Sequence, residues 1–97
     1  MKARFSRASE SDLAAIGEFI ARDSPRHALR FVRKLREKAI KAAEAPEIYP
    51  VYAQLTISVR RIVVGAYAIY FSVQHDSVVI ERIIHSAMSG HPGSVDD

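Results

Sequence analysis

The chain has 97 residues, 48% of them hydrophobic and 26% charged, so it should form one small globular domain and not a disordered segment. It has no cysteine, which excludes disulfides and thiolate metal sites. The formal net charge of +3 favours acidic partners, such as nucleic acid or an acidic protein segment.

The sequence gives no sign of a membrane or secreted protein. No apolar run approaches the ~20 residues that are needed to span a bilayer. Residues 1–11 have no apolar core after their charges, so we expect no signal peptide. The expected location is therefore the cytoplasm, with no membrane contact.

The first part of the chain predicts a short strand and a helix. Apolar and polar side chains alternate over residues 2–7, which is typical of a half-buried strand. Ser9 stands at the position of an N-cap, with Asp12 three residues later as in a capping box. These features predict a helix over residues 10–22, with one apolar stripe.

A second helix is predicted over residues 25–44. Ser24 can cap this helix, and Pro25 suits its first turn, where a missing N–H costs nothing. Pro46 ends it. Because so few residues separate the two helices, they should form an antiparallel hairpin.

The second predicted helix is strongly basic. Its cations are Arg26, Arg30, Arg33, Lys34, Arg36, Lys38 and Lys41. Only Glu37 and Glu44 oppose them. A solvated helix face is the usual meaning of such a run, but like charges four residues apart destabilise a helix. An acidic partner would relieve that repulsion.

The strand signal is concentrated in residues 55–87, which follow a predicted loop over residues 47–54. Val, Ile, Tyr and Phe dominate three short runs in this stretch. Turn residues separate the runs at 64–66 and at 74–77. Three strands joined by tight turns predict an antiparallel meander.

Both faces of the predicted sheet are partly apolar. Alternation places Val78, Ile80 and Ile84 of the last strand on one face. Val79 and Ile83 fall on the other face. Since two helices can cover only one face, the sheet should keep an apolar surface for a partner.

Together these elements predict a two-layer α+β fold in the order βααβββ. The helical hairpin packs on an antiparallel sheet, and residues 1–88 form the single domain. Residues 89–97 combine Gly, Pro, Ser and Asp without a hydrophobic period. They are expected to be a mobile tail.

The usual enzyme constellations are missing from the sequence. It has no cysteine nucleophile, no glycine-rich phosphate loop and no paired carboxylates at a useful spacing. Its four histidines form no metal-ligand pattern. We therefore expect no catalytic residue, no metal and no cofactor. His85 stands apart because it lies where the last predicted strand leaves the sheet.

Three arginines on the predicted strands are the more suggestive set. Arg60 and Arg61 lie together on one strand, and Arg82 lies on the last strand. An arginine among Ile and Val must extend to solvent, pair with an acid such as Glu81 or Asp76, or face a partner. Solvated or paired arginines are the ordinary interpretation. The functional interpretation is a cationic site for phosphate or a carboxylate.

Five short motifs follow one another in a recognisable order. They are Asp12-Leu13 with Ile16, the S-P-x-x-A run 24–28 with Phe31 and Leu35, Val59-Arg60-Arg61, VGAYAIY at 64–70 and IERIIH at 80–85. Over about residues 5–88, this ordered set resembles the ParE branch of the ParE/RelE toxin superfamily.

The resemblance implies the toxin of a bacterial type II toxin–antitoxin module. ParE-like members inhibit DNA gyrase and trap cleaved DNA, whereas RelE-like members cut messenger RNA on the ribosome. The implied partner is a ParD-like antitoxin, which wraps a C-terminal segment, expected to be acidic, around the toxin in a hetero-oligomer.

Chemical requirements favour gyrase inhibition by non-covalent binding over RNA cleavage. Cleavage needs groups that activate the 2′-OH, stabilise the phosphate charge and protonate the leaving oxygen. RelE-like toxins resemble one another in using basic strand residues and a late tyrosine, but here no Tyr follows Tyr70 and no Lys follows Lys41. A ribosome-dependent endoribonuclease, with His85 for proton transfer, is the first alternative. A former toxin that only binds an antitoxin repressor is the second.

The resemblance also suggests which residues make contacts. The expected target-binding residues are Arg60, Arg61, Arg82, His85 and Met88. The expected antitoxin-binding residues are Ile16, Phe19, Arg30, Arg33, Tyr70, Val79 and Ile83. Many family members end the last strand with His-x-x-Arg, whereas Met88 takes the place of that arginine here. Arg82 and His85 are left to carry any positive charge at this end.

Overall fold

A computed structural model describes residues 1–54 and 57–86 of the chain. The elements in order are strand β1 (Lys2–Phe5), helices α1 (Arg7–Ala21) and α2 (Pro25–Ala42), a short 3-10 helix (Pro46–Ile48), and strands β2 (Val51–Gln54), β3 (Ser58–Val64), β4 (Tyr67–Gln74) and β5 (Ser77–His85). The predicted α+β fold, with a helical hairpin packed on a sheet, is confirmed. No helix in the described residues is long and apolar enough to cross a membrane.

The sheet has the strand order β1-β5-β4-β3-β2. Strands β3, β4 and β5 form the predicted antiparallel meander. Its first turn contains Gly65 with φ 60°, a left-handed conformation that glycine adopts without a steric penalty. Strand β1 pairs in parallel with β5, and the helical hairpin carries the chain from β1 across one face of the sheet to β2 at the opposite edge. The sheet is therefore mixed, where the sequence predicted an antiparallel one.

Strand β2 lies within residues 47–54, for which the sequence predicted a loop. This strand is the outer edge of the sheet and pairs with β3, with a register shift between Val51 and Ala53. Its four residues follow Pro50 and are too few to show alternation. Strand β2 is stabilised by contacts with residues that are distant in sequence. Its backbone is hydrogen-bonded to β3, and the centroid of the Tyr52 ring lies 5.3 Å from that of the Tyr70 ring.

A bulge in β5 corrects the predicted alternation of that strand. Tyr70 pairs with Arg82 and Phe71 pairs with Ile80, so Glu81 is an extra residue between the two pairs. One extra residue reverses the side-chain parity of everything that follows it. Ile83 consequently lies in the core beneath the helices, while Ile84 packs on the other face.

The main core lies between the helical hairpin and the sheet. Its buried side chains include Leu13, Ile16, Leu35, Ala39, Ile69, Phe71, Val78, Ile80 and Ile83. A second, smaller cluster joins Val59, Ala68 and Tyr70, with Tyr52, Ala53 and Ile84 packed against it. Tyr70 is 0% exposed in this cluster. The prediction that the second face stays open for a partner therefore does not hold around Tyr70.

Helix α1 begins three residues earlier than predicted, because Ser6 is its N-cap. The Ser6 hydroxyl accepts a hydrogen bond from the Ser9 N–H (3.0 Å) and donates one to the Glu81 carbonyl (2.8 Å). Ser9 itself is buried, and its hydroxyl donates to the Ser6 carbonyl (2.8 Å). For α2 the predicted cap is confirmed, since Ser24 accepts from the His27 N–H (3.1 Å).

Replacement of Ser6 with alanine should lower the free energy of unfolding by about 1–2 kcal/mol, because a cap and a contact to β5 are lost together. Ser24→Ala is the matched control, since within the described residues the Ser24 hydroxyl caps α2 and makes no hydrogen bond to a strand. It should cost about 0.5–1 kcal/mol. Urea unfolding of both variants measures the difference, and equal losses would show that the Ser6–Glu81 bond contributes nothing.

Candidate functional site

A groove runs between α1 and α2. The helices approach closely at Gly17, where a Cβ atom would lie 3.3 Å from a Val32 methyl carbon. The groove has a volume of about 660 Å³ and is lined mainly by apolar side chains of both helices. Leu29 lies in it and is 68% exposed, and Arg33 and Arg36 are part of its lining. An amphipathic segment with acidic residues would fit such a surface, which we call the helix groove.

A second concavity lies where β5 ends. It is formed by Ala15, Ile16, Phe19, Tyr67 and His85, and its volume is about 320 Å³. The Tyr67 and His85 rings are 5.1 Å apart in an edge-to-face arrangement. Phe19 is 61% exposed beside them. We call this aromatic concavity the β5-end pocket.

The three strand arginines are not brought together. Arg60 donates to the carbonyl of Tyr49, while the guanidinium carbon of Arg61 lies 4.2 Å from the centre of the Tyr52 ring. Because neighbouring strand residues point to opposite faces, these two arginines cannot form one cationic surface. Arg82 turns instead to α1. The structure therefore does not bring Arg60, Arg61 and Arg82 together into the one cationic site that the sequence suggested.

Asp12 holds α1 on β5. Nε and Nη2 of Arg82 donate to the two Asp12 carboxylate oxygens (2.8 and 2.9 Å), and the Ile83 N–H donates to one of them (2.8 Å). The hydrogen bonds from Arg82 to the Asp12 carboxylate raise the pKa of Arg82 above its usual value. The pairing of β1 with β5 ends at Phe5 and Ile80. The Asp12 carboxylate therefore accepts the hydrogen bond of the Ile83 N–H, which lies beyond the end of β1.

From the sequence, Asp12 was expected in a capping box and Glu81 was a possible partner of Arg82. Neither contact forms. Glu81 accepts hydrogen bonds from the Ser72 hydroxyl (2.7 Å) and the Gln74 amide (3.3 Å) on the other face. The bulge at Glu81 separates the two side chains, which is why no local pattern predicted the true partner.

We expect Asp12→Ala to lower the free energy of unfolding by about 2–3 kcal/mol. The substitution leaves the Ile83 N–H without its hydrogen-bond acceptor and removes the ion-pair partner of Arg82. The Asp12 side chain is only 15% exposed. Thermal and urea unfolding provide the measurement.

The control for this prediction is Glu10→Ala, which removes an exposed ion pair with Arg36 (2.6 Å). Solvent screens that pair, so the loss should stay below about 1 kcal/mol. Hydrogen bonds from Arg36 lower the pKa of Glu10. The small contribution is thus complete above the unfolded pKa of the carboxyl and is lost as the pH falls through its folded pKa. Equal losses in the two variants would contradict the special role of Asp12.

The predicted antitoxin-binding residues divide into two groups. Ile16, Tyr70, Val79 and Ile83 are buried, so in this conformation they stabilise the fold and do not present a surface. Phe19, Arg30 and Arg33 are exposed and remain available for contact. Met88, predicted to bind the target, lies outside the described residues, as does the predicted tail over 89–97.

Four cations on α2 form a continuous line. Arg26, Arg30, Lys34 and Lys38 follow one another at intervals of four residues, and all four are exposed. Within the described residues none of them forms an ion pair, since the pairs found there join Arg36 to Glu10 and Arg82 to Asp12. We call this line the cationic row. Like charges at this spacing destabilise a helix by about 0.2–0.5 kcal/mol per pair.

Three residues that contribute to these sites were not predicted from the sequence. They are Leu29, Tyr67, and Asp12 as the partner of Arg82 and Ile83. Leu29 could have been recognised, because it is an apolar residue away from the buried positions of α2, which are Ala28, Leu35, Ala39 and Ala42. Tyr67 left none, since its position beside His85 depends on the register of β4 against β5. Among residues 1–54 and 57–86, no group of three His, Asp or Glu side chains lies close enough to hold a metal ion.

The chain is similar to known proteins both in sequence family and in fold. The family model described as "ParE toxin of type II toxin-antitoxin system, parDE" matches residues 3–90. A solved structure described as "Chromosomal ParDE TA system from P. aeruginosa" is similar with a TM-score of 0.76 and 20% sequence identity, covering 88% of this chain and 95% of that chain. At this identity the likeness shows the fold alone. No curated protein matches the chain.

Proposed function

The chain belongs to the ParE toxin family of type II toxin–antitoxin systems, and on that premise we propose that it inhibits DNA gyrase in the cytoplasm by non-covalent binding. The separation of the strand arginines carries this proposal. RNA cleavage needs phosphate-stabilising cations and proton-transfer groups at one place. Here the guanidinium groups of Arg60, Arg61 and Arg82 are held by a carbonyl, an aromatic ring and a carboxylate at separate places.

The β5-end pocket is the proposed contact surface for the target. Phe19, Tyr67 and His85 offer aromatic area of the kind that dominates binding energy at protein interfaces. His85 adds a group that can donate or accept a hydrogen bond. The roles of Arg60, Arg61 and Arg82 in target binding stay predictions.

A gyrase supercoiling assay with the purified chain tests this proposal. The wild-type chain should inhibit supercoiling, and His85→Ala should weaken that inhibition at least tenfold while the melting temperature stays near that of the wild type. Ile48→Ala, which removes an exposed apolar side chain from the 3-10 helix, is the control and should inhibit normally. Absence of inhibition by the wild-type chain would reject gyrase as the target.

The helix groove is the proposed site of the antitoxin. Its apolar lining suits the apolar face of a helical C-terminal segment, and Arg33 can pair with acidic residues of that segment. Phe19 and Arg30 are the other predicted antitoxin contacts that remain exposed. In this proposal the antitoxin is ParD-like and forms a hetero-oligomer with the toxin.

A ribosome-dependent endoribonuclease is the second candidate, because Tyr67 and His85 place two titratable side chains at one pocket. Primer extension on messenger RNA after induction separates the two functions. Cuts linked to codons, with supercoiling unaffected, would support cleavage and reject the binding proposal. Normal growth when the chain is expressed alone would instead indicate a former toxin that only binds its antitoxin.

A further inference from the structure

The cationic row lies outside both concavities, and only its Arg30 is also a predicted antitoxin contact. Arg26, Arg30, Lys34 and Lys38 repel one another along α2, and Arg26 also lies in the first turn, where a cation opposes the helix dipole. The first turn of α2 holds no acidic residue. This arrangement of cations weakens the helix, so it does not serve stability. We therefore look for a binding partner that the cations would contact.

The side chains around the cationic row indicate which class of partner it can bind. At 100° per residue, the sector of α2 that holds the row contains only polar side chains: Arg26, His27, Arg30, Lys34, Glu37, Lys38 and Lys41. The exposed apolar residues Leu29 and Ile40 fall outside it, toward the α1 side. A protein partner would be expected to seek apolar anchors, which the helix groove offers and this sector does not.

The spacing of the row fits a polyanion. Lys38 is twelve positions after Arg26, which corresponds to about 18 Å along the helix at 1.5 Å per residue. Duplex DNA carries one phosphate per ~1.7 Å of its axis, counting both strands, so about five phosphates of one strand fall within this length. Four exposed cations with no competing ion pair in the described part of the chain match such a backbone in sign and length.

We propose that the cationic row binds the phosphate backbone of duplex DNA without reading its sequence. Phosphate contacts from Arg and Lys side chains position a protein on a duplex but carry no sequence information. The contact is a property of this chain and does not depend on gyrase being the target. It would add a DNA-binding surface on the side of the hairpin away from the helix groove.

Binding of a fluorescent 20-base-pair duplex by the purified chain, measured over a range of salt concentrations, tests the proposal. The triple variant Arg30→Gln, Lys34→Gln, Lys38→Gln should bind at least tenfold more weakly at low salt. The slope of log affinity against log salt should fall by about one for each cation removed. Its melting temperature should not decrease, because the repulsion along α2 is relieved.

The matched control is Lys2→Gln, Arg4→Gln, Arg7→Gln, which removes the same charge from exposed positions on β1 and at the start of α1. It should bind DNA within about threefold of the wild type. Equal weakening by both triple variants would mean attraction by net charge alone and would overturn the assignment. No binding by the wild type at low salt would also overturn it. Row-dependent binding of a polyglutamate peptide in place of DNA would assign the row to an acidic protein.

Discussion

Tyr70→Ala should lower the free energy of unfolding by about 3–5 kcal/mol, because it empties a buried aromatic site. Tyr70 is 0% exposed and anchors the cluster on the sheet face opposite the helices. A loss of this size is a large fraction of the ~5–15 kcal/mol that stabilises a typical domain. Urea unfolding should show it as a lower midpoint, and thermal melting should show a drop of about 15–30 °C.

Tyr70→Phe is the control for this prediction, since it keeps the ring and removes only the hydroxyl. It should cost about 1 kcal/mol. The comparison also decides between two roles for the residue, because the sequence placed Tyr70 in the antitoxin interface. If Tyr70→Ala kept its stability but lost antitoxin binding, Tyr70 would be a surface contact and the buried cluster would be rejected.

Leu29→Asp should weaken binding of the cognate antitoxin by about 30-fold, which corresponds to about 2 kcal/mol. Leu29 is an exposed apolar residue in the helix groove, so aspartate removes an anchor and repels acidic residues of the partner. Stability should change little, because the side chain is 68% exposed. Titration calorimetry with the antitoxin provides the affinity.

Ile40→Asp makes the same chemical change on the same helix, at a residue that is 53% exposed and is not part of the groove lining. Antitoxin affinity should stay within about threefold of the wild type. Equal weakening by Leu29→Asp and Ile40→Asp would place the antitoxin on a broader face of α2. An unchanged affinity in both variants would remove the helix groove from the interface.

Much of the fold was predictable because its signals are local. The cap at Ser24 and the proline after it define the start of α2, and both act within one turn. The alternation in β4 needs no knowledge of distant residues, since Ile69 and Phe71 alternate with Ala68 and Tyr70 along one strand. Family membership was predictable for a related reason: the motifs are spread in order over most of the chain.

The candidate site was less predictable because its contacts are distant in sequence. Asp12 and Ile83 are 71 positions apart, and only the crossing of α1 over β5 brings them into contact. A single extra residue, Glu81, reverses the parity of the end of β5. That reversal places Ile83 in the core and Arg82 beside Asp12. Regular alternation along β5 therefore predicts the wrong surroundings for both residues.

The amino-acid sequence by itself determined the order of the helices and the central strands, the basic character of α2, and the family. These depend on side-chain periodicity and capping, which act over a few neighbouring residues. Tertiary structure alone decided the pairing of β2 with β3, the burial of Tyr70, the Asp12 contact to β5, and the separation of Arg82 from Arg60 and Arg61. Each of these requires a strand register or a helix crossing, and both are set by the packing of the whole core.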